Sequence, residues 1–229
     1  MTDLIATIQA RGFWRVEIRP TEFKKDRVRE LGTLFPIVER CAVVFRGWDF
    51  PHIDRRKQPH VDLDWVGQEL EWEHHLELWR LYQSGQFVHL GGIWDDWRDQ
   101  SGLWAPERGW KPGLRISVLD TTWRFVEIFE FAARLSQTEA GHDRMSIVVT
   151  LSGLRGRVLH LESPRRVPLL EEYKAAIDQY PYEVELSRAD LLAAPREYAL
   201  EATVRLFERF GWNLGREMAK SLQDELGQR

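Results

Sequence analysis

A segment without periodicity, residues 46–66, brings histidine and aspartate side chains together at spacings that could bind a metal. His52-x-Asp54 and Asp62-x-Asp64 each place two side chains on the same side of an extended backbone. Imidazole and carboxylate together suit zinc, manganese or iron, and a metal-bound water could then drive hydrolysis. The pattern predicts a metal site with the ligands His52, Asp54, His60 and Asp62. The competing interpretation is a polar loop without a metal, because the chain has no HExxH or paired-cysteine motif.

A second irregular segment, residues 91–113, is rich in tryptophan, glycine and cationic side chains. Aromatic faces beside cations are typical of sites that stack a base, a sugar or another ring. The segment predicts a ligand- or partner-binding site formed by Trp97, Arg98, Trp110 and Lys111. In this hypothesis Trp94 and Trp104 point inward, while Trp97 and Trp110 lie nearer the surface. The alternative is a loop that folds onto its own tryptophans and covers the sheet.

Four arginines near a predicted turn form a third candidate site. They lie within twelve residues and could contact phosphate groups of a nucleic acid: Arg155, Arg157, Arg165 and Arg166. The net charge of −4 opposes this function, because a chain-wide basic field is absent. The alternative is that these arginines are solvated side chains at the rim of a hairpin.

The elements that must position these residues begin with an alternating stretch from Glu69 to Leu78. Period two is typical of a half-buried strand, and it places Trp72 and Leu76 on an inner face with Glu71 and Glu73 on the outer one. We predict one strand of about 14 residues, roughly 45 Å long, that bends near residues 79–80. A turn at residues 84–85 and a return strand over residues 86–90 complete the hairpin.

The remaining pattern predicts an α+β protein. In residues 1–113 we expect a Trp-rich antiparallel or mixed sheet with long loops, including a strand over 13–19, a helix over 21–39 and a strand over 43–45. In residues 114–229 the order is β-α-β-β-α-β, typical of a ferredoxin-like half, with helices over 120–137 and 169–179. Two C-terminal helices follow, over 197–210 and 214–226. The two halves are either separate domains or parts of one compact domain.

Composition restricts the function classes more than it identifies one. No apolar run reaches the roughly 18 residues of a membrane span, the start of the chain does not resemble a secretory signal, and Cys41 is the single cysteine. We therefore expect a cytoplasmic protein without membrane contact. No cofactor or nucleophile motif is present, and no cofactor is predicted. The principal prediction is a non-catalytic protein that binds another protein or a small ligand. The alternatives are a metal-dependent hydrolase or nuclease and a nucleic-acid-binding accessory protein.

Overall fold

An antiparallel sheet of seven strands forms the framework of the described chain. The computed structural model describes residues 2–98, 109–161, 166 and 168–228. The strands are β1 (Phe13–Pro20), β2 (Val43–Val44), β3 (Asp49–Phe50), β4 (His60–Val61), β5 (Trp65–Trp72), β6 (His75–Tyr82), β7 (Phe87–Gly92), β8 (Arg115–Ser117), β9 (Arg144–Ser152), β10 (Val158–His160) and β11 (Gln179–Ser187). The order in the main sheet is β11-β9-β1-β7-β6-β5-β4, and within the described residues β2 pairs with β3, and β8 with β10, in two small separate sheets.

The main core lies between one face of this sheet and a central helix. The α-helices are α1 (Thr2–Gln9), α2 (Leu34–Cys41), α3 (Val118–Ser136), α4 (Arg188–Ala193), α5 (Pro195–Glu208) and α6 (Arg216–Asp224). The α3 helix has no internal glycine or proline, and the Ser117 side chain caps it by accepting a hydrogen bond from the Asp120 backbone N–H at 3.1 Å. Most of its side chains are buried, because α3 is covered by the sheet, by α5 and by α6. The predicted α+β class is therefore confirmed.

The predicted long strand is instead two strands joined by a tight turn. β5 ends at Trp72 and β6 begins at His75, so that these two residues face each other across a turn at Glu73 and His74. Glu73 adopts a positive φ of 50° there. Trp72 is 52% exposed rather than buried, whereas Glu77 is buried. The expectation that Trp72 is a core residue is therefore wrong, and the return strand is confirmed as β7.

A second, smaller core lies on the opposite face of β6 and β7. Leu76, Leu78 and Leu90 point to that face, where α1 covers them with Leu4 and Ile8. Trp97 completes this cluster. The helix α1 had no sequence-based prediction, and its packing explains why both faces of β6 carry buried side chains.

A second predicted helix, over residues 21–39, is mostly irregular chain. Only α2 and a preceding 3-10 turn, Leu31–Thr33, are helical. The reason is tertiary hydrogen bonding around Val28. Its backbone N–H donates to the Gln83 carbonyl at 2.9 Å, and its carbonyl accepts from the Gln83 side chain at 3.0 Å. These bonds occupy groups that a helix would need. Pro36 lies in the first turn of α2, where a missing N–H costs nothing.

The ferredoxin-like half is not confirmed. Residues 169–178 form no helix, and β8 and β10 pair in parallel outside the main sheet. The backbone of the 169–178 segment instead bonds to the neighbouring chain: the Leu159 N–H donates to the Tyr173 carbonyl, and the Ala175 N–H to the Arg157 carbonyl, both at 2.9 Å. The main sheet takes strands from both proposed halves, since β1 lies between β7 and β9. No helix in the described ranges is long and apolar enough to cross a bilayer.

Candidate functional site

A cavity of about 540 Å³ opens where the β5–β6 hairpin, the segment before β3 and the start of α3 meet. This size lies within the range of small-molecule sites. Its walls combine aromatic rings with ionised side chains. The tryptophans that line it are Trp14, Trp48, Trp72, Trp94 and Trp123. Gly91 lies in the lining too, and a Cβ atom there would approach His89 Cε1 to 2.9 Å. The missing side chain therefore keeps the floor of the cavity open.

One wall of the cavity is a stack of nearly parallel rings. Trp48 stacks on His52 with ring centroids 4.0 Å apart and on His75 at 4.1 Å. Trp72 continues the stack, 5.4 Å from Trp48 at an interplanar angle of 10°. The tight turn between β5 and β6 creates this arrangement, because it places Trp72 and His75 side by side on one face of the sheet. Trp72 is 52% exposed and belongs to the cavity lining.

The floor of the cavity holds a buried pair formed by Glu77 and His89. Glu77 Oε2 lies 2.8 Å from His89 Nε2, and Glu77 Oε1 accepts a hydrogen bond from the His52 backbone N–H at 3.1 Å. Burial alone would raise the pKa of Glu77, but the hydrogen bond and charge of His89 outweigh it, helped by Arg124, and lower the pKa to about 2. Glu77 is therefore ionised at neutral pH.

The α3 side of the cavity carries a group of four charged side chains. Arg46 donates to both carboxylate oxygens of Glu127 at 2.7 Å and also bonds Asp120 Oδ1. Arg124, one turn after Asp120, lies 3.4 Å from Glu127 Oε2 through Nη1. Burial opposes the ionisation of Asp120, but Arg46 and Arg124 overcome it and hold its pKa below the ordinary value. Burial opposes the charge of Arg46 as well, and Glu127 and Asp120 raise the pKa of Arg46 overall.

Two histidines at the hairpin turn are held in the neutral form. Burial lowers the pKa of His75 from 6.5 to about 4, with the charges of His74 and Arg124 adding to the effect. Burial also lowers the pKa of His74, although Glu73 opposes the shift. Both imidazoles line the cavity. At neutral pH they present uncharged rings rather than cations to a ligand.

We expect the protein to lose stability as the pH falls below about 6.5. Because the pKa of His75 is lowered to about 4 in the fold, the unfolded chain binds a proton between these pH values that the folded chain does not. The free energy of unfolding should therefore fall by on the order of 3 kcal/mol from this residue alone between pH 6.5 and 4. Glu77 extends the loss below pH 4.5 by the same sign. Urea denaturation across this pH range measures the effect.

The matched variant for this experiment is His75→Gln, which removes the titrating group. Its unfolding free energy should depend less steeply on pH between 6.5 and 4 than that of the wild type. Equal slopes for the two proteins would contradict the lowered pKa of His75.

The sequence-predicted aromatic site is not assembled as expected. Trp97 is 2% exposed in the second core, with the Arg11 guanidinium 4.2 Å from its ring centroid, so the expectation that it lies near the surface is wrong. Trp94 is the half-buried one: it lines the cavity, and the Arg98 guanidinium lies over its ring at 5.0 Å. Trp110 is half-buried and donates to the Asp95 carbonyl at 2.9 Å, while Lys111 is exposed. Trp104 lies outside the described residues.

The four candidate nucleic-acid-binding arginines do not form one surface. Arg157 is buried in an ion pair with Asp96, at 2.7 and 2.5 Å. Arg166 pairs with Glu225 beside α6. Arg155 is exposed on the turn after β9, and Arg165 lies outside the described residues. Among the described arginines of this set, Arg155 is therefore the exposed one.

The predicted metal ligands are also separated. His52 Nδ1 lies 2.5 Å from Asp49 Oδ1, whereas Asp54 accepts a hydrogen bond from the Arg56 backbone N–H. His60 and Asp62 are exposed near β4. Among the residues that the structure describes, no three His, Cys, Asp or Glu side chains are grouped to hold a metal. Metal-dependent hydrolysis and nucleic-acid binding stay predictions, and the part of the chain that the structure describes brings together neither the predicted metal ligands nor the predicted arginines.

Sequence reasoning missed most residues that line the cavity. The available signal was the stretch RGWDFPH, residues 46–52, which carries Arg46, Trp48, Asp49 and His52 within seven positions. Asp120 and Arg124 gave a second signal, since they are oppositely charged positions at i and i+4 in a helix that is rich in apolar residues. Neither signal indicates that residues more than seventy positions apart meet. Comparisons with protein families, curated proteins and solved structures found no match to this chain.

Proposed function

We propose that this protein binds a small organic ligand in the cavity between the β5–β6 hairpin and α3, without chemistry of its own. The observation that carries the proposal is the ring stack that ends in Trp72. A side chain of this size, 52% exposed beside a cavity of about 540 Å³, is an aromatic surface that a flat ligand can cover. Adding a further ring would extend the Trp48–Trp72 stack.

The polar groups of the cavity support binding rather than catalysis. Both carboxylate oxygens of Glu77 accept hydrogen bonds from the protein, and Arg46 is held by Glu127 and Asp120. Groups fixed in this way can orient a ligand, and they are not free to exchange protons with it. A concave site of this volume favours a small molecule over a protein partner. A protein partner and a cytoplasmic location stay predictions from the sequence.

Substitution of the exposed Trp72 or of the half-buried Trp94 should weaken ligand binding. A screen of aromatic fragments by saturation-transfer NMR should give binders, and Trp72→Ala and Trp94→Ala should each reduce their affinity about tenfold through lost ring contact. The melting temperature should change little for Trp72→Ala, because its side chain is largely exposed.

The control is Phe23→Ala, which removes another exposed aromatic ring, 79% accessible and outside the cavity. It should leave fragment binding unchanged. Fragments that bind equally to the wild type and to both tryptophan variants would place binding elsewhere and overturn the proposal, as would a screen without binders.

A further inference from the structure

Arg124 lies in the cavity wall with its guanidinium 5.1 Å from the centroid of the Phe50 ring, and its Nη1 has no hydrogen-bond acceptor among the described residues. Its side chain is only 16% exposed, and Nη1 is buried with no hydrogen-bond partner in the described chain. Its ion-pair neighbour among the described residues is Glu127, whose two oxygens are already bound by Arg46 at 2.7 Å. A largely buried guanidinium with unfilled donors is costly. A ligand carboxylate would supply the missing acceptor through a charge-assisted bond.

Asp120 offers the opposite charge one helical turn earlier. Arg46 bonds its Oδ1, and no described donor reaches its Oδ2. Aspartate and arginine at i and i+4 on a helix commonly pair with each other. Here they do not, because Arg46 holds Asp120 and Glu127 attracts Arg124. Two opposite charges therefore lie side by side in the cavity lining, each with hydrogen-bonding capacity to spare.

We infer that the ligand is a small aromatic zwitterion, in which a flat ring bears a short side chain with a carboxylate and an ammonium on the same carbon atom. This inference rests on the proposed ligand-binding function and specifies its ligand class. The carboxylate binds Arg124, the ammonium binds Asp120 Oδ2, and the ring lies against the exposed face of Trp72. The charges of Arg46, Arg124, Asp120 and Glu127 cancel, so a ligand without net charge leaves the group balanced.

Ligands with a single charge satisfy only half of this site. An aromatic cation suits the tryptophan walls and Asp120, but it would lie next to Arg124 and leave that guanidinium without an acceptor. An aromatic acid can bind Arg124 through its carboxylate, but it would be repelled by the carboxylate of Asp120. An uncharged ring gains the stacking alone.

The test compares four probes that share one ring system, by isothermal titration calorimetry with the full chain near neutral pH. The probes are tryptophan, tryptamine, indole-3-propionate and indole. Tryptophan should bind at least roughly tenfold more tightly than either singly charged analogue, and indole should bind most weakly. Equal affinities for tryptophan and one singly charged analogue would overturn the inference, and so would the absence of binding by all four.

Each variant that replaces a charged side chain with a neutral one should remove one of the affinity differences between tryptophan and its analogues. Arg124→Gln should bring tryptophan and tryptamine to similar affinity, and Asp120→Asn should do the same for tryptophan and indole-3-propionate. Glu130→Gln is the control, because Glu130 lies on α3 outside the cavity lining and pairs with Arg196; it should change neither preference. Circular dichroism checks that each variant folds. If a variant does not fold, the affinities of the four probes for the wild type still test the inference.

The two proposals fail in different ways. If fragments bind in a Trp72-dependent manner while the four probes bind equally, the zwitterion inference fails and the ligand-binding function stands. If no aromatic compound depends on Trp72, both fail.

Discussion

Replacing Arg157 with alanine is expected to destabilise the protein by about 3–5 kcal/mol, because the change leaves a buried carboxylate without its partner. Arg157 and Asp96 are each 1% exposed and bond through two guanidinium nitrogens. Asp96 also accepts backbone N–H bonds from Gly12 at 2.9 Å and Gly113 at 2.8 Å. The pair therefore joins the start of β1, the segment before β8 and the turn after β9. Urea denaturation measures the loss of unfolding free energy.

The matched control is Arg155→Ala, two residues earlier on the same turn. Arg155 is exposed, so its removal should change the unfolding free energy by no more than about 0.5 kcal/mol. A double variant, Asp96→Asn with Arg157→Met, should recover part of the loss, since it removes both charges together. Equal stability of the two single arginine variants would contradict the structural role of the pair.

The strands of this fold could be predicted from sequence where one face is buried and the other is not. The alternation in β1 places Trp14, Val16 and Ile18 inward, with more exposed residues between them. In this strand the environment has period two, so the sequence has it as well.

The β5–β6 turn could not be predicted from the same signal. After a two-residue turn, the odd-numbered residues lie on the face that the even-numbered residues occupied before it. If one face of the hairpin were polar, the apolar residues would therefore shift from even to odd positions, and that shift would reveal the turn. Here the apolar alternation continues, because Leu70 is buried opposite Glu77 on the cavity face of the sheet, whereas Leu76 and Leu78 face α1. Since both faces of β6 are covered, the pattern runs through the turn without interruption.

The cavity was even less predictable from the sequence than the β5–β6 turn. The abundance of tryptophan between Trp14 and Trp123 predicted either large buried side chains or an aromatic surface for a ligand, and the five tryptophans of the cavity all come from that stretch. Which of them are uncovered depends on α1 and on the pairing of the strands. Trp97 and Trp94 are three residues apart, yet one enters the second core and the other lines the cavity.

Trp97→Ala is expected to cost about 3–5 kcal/mol, the range for truncating a buried aromatic side chain. The indole is 2% exposed and packs among Leu4, Ile8 and Leu90. The matched control is Trp72→Ala, which removes an equal side chain that is 52% exposed and should cost less than about 1 kcal/mol. Chemical denaturation of both variants gives the comparison, and equal losses would contradict the assignment of Trp97 to a core.

The loss of stability caused by Trp97→Ala should affect α1 first. An eight-residue helix is not stable in water by itself, and α1 covers the sheet through the same cluster that Trp97 completes. Removing the indole should therefore let α1 detach before the main sheet unfolds. Hydrogen exchange should show faster amide exchange in Thr2–Gln9 for Trp97→Ala, while β1 and β9 keep their protection because the main core on the other face is untouched. Uniformly faster exchange across the sheet would mean that the two cores unfold as one unit.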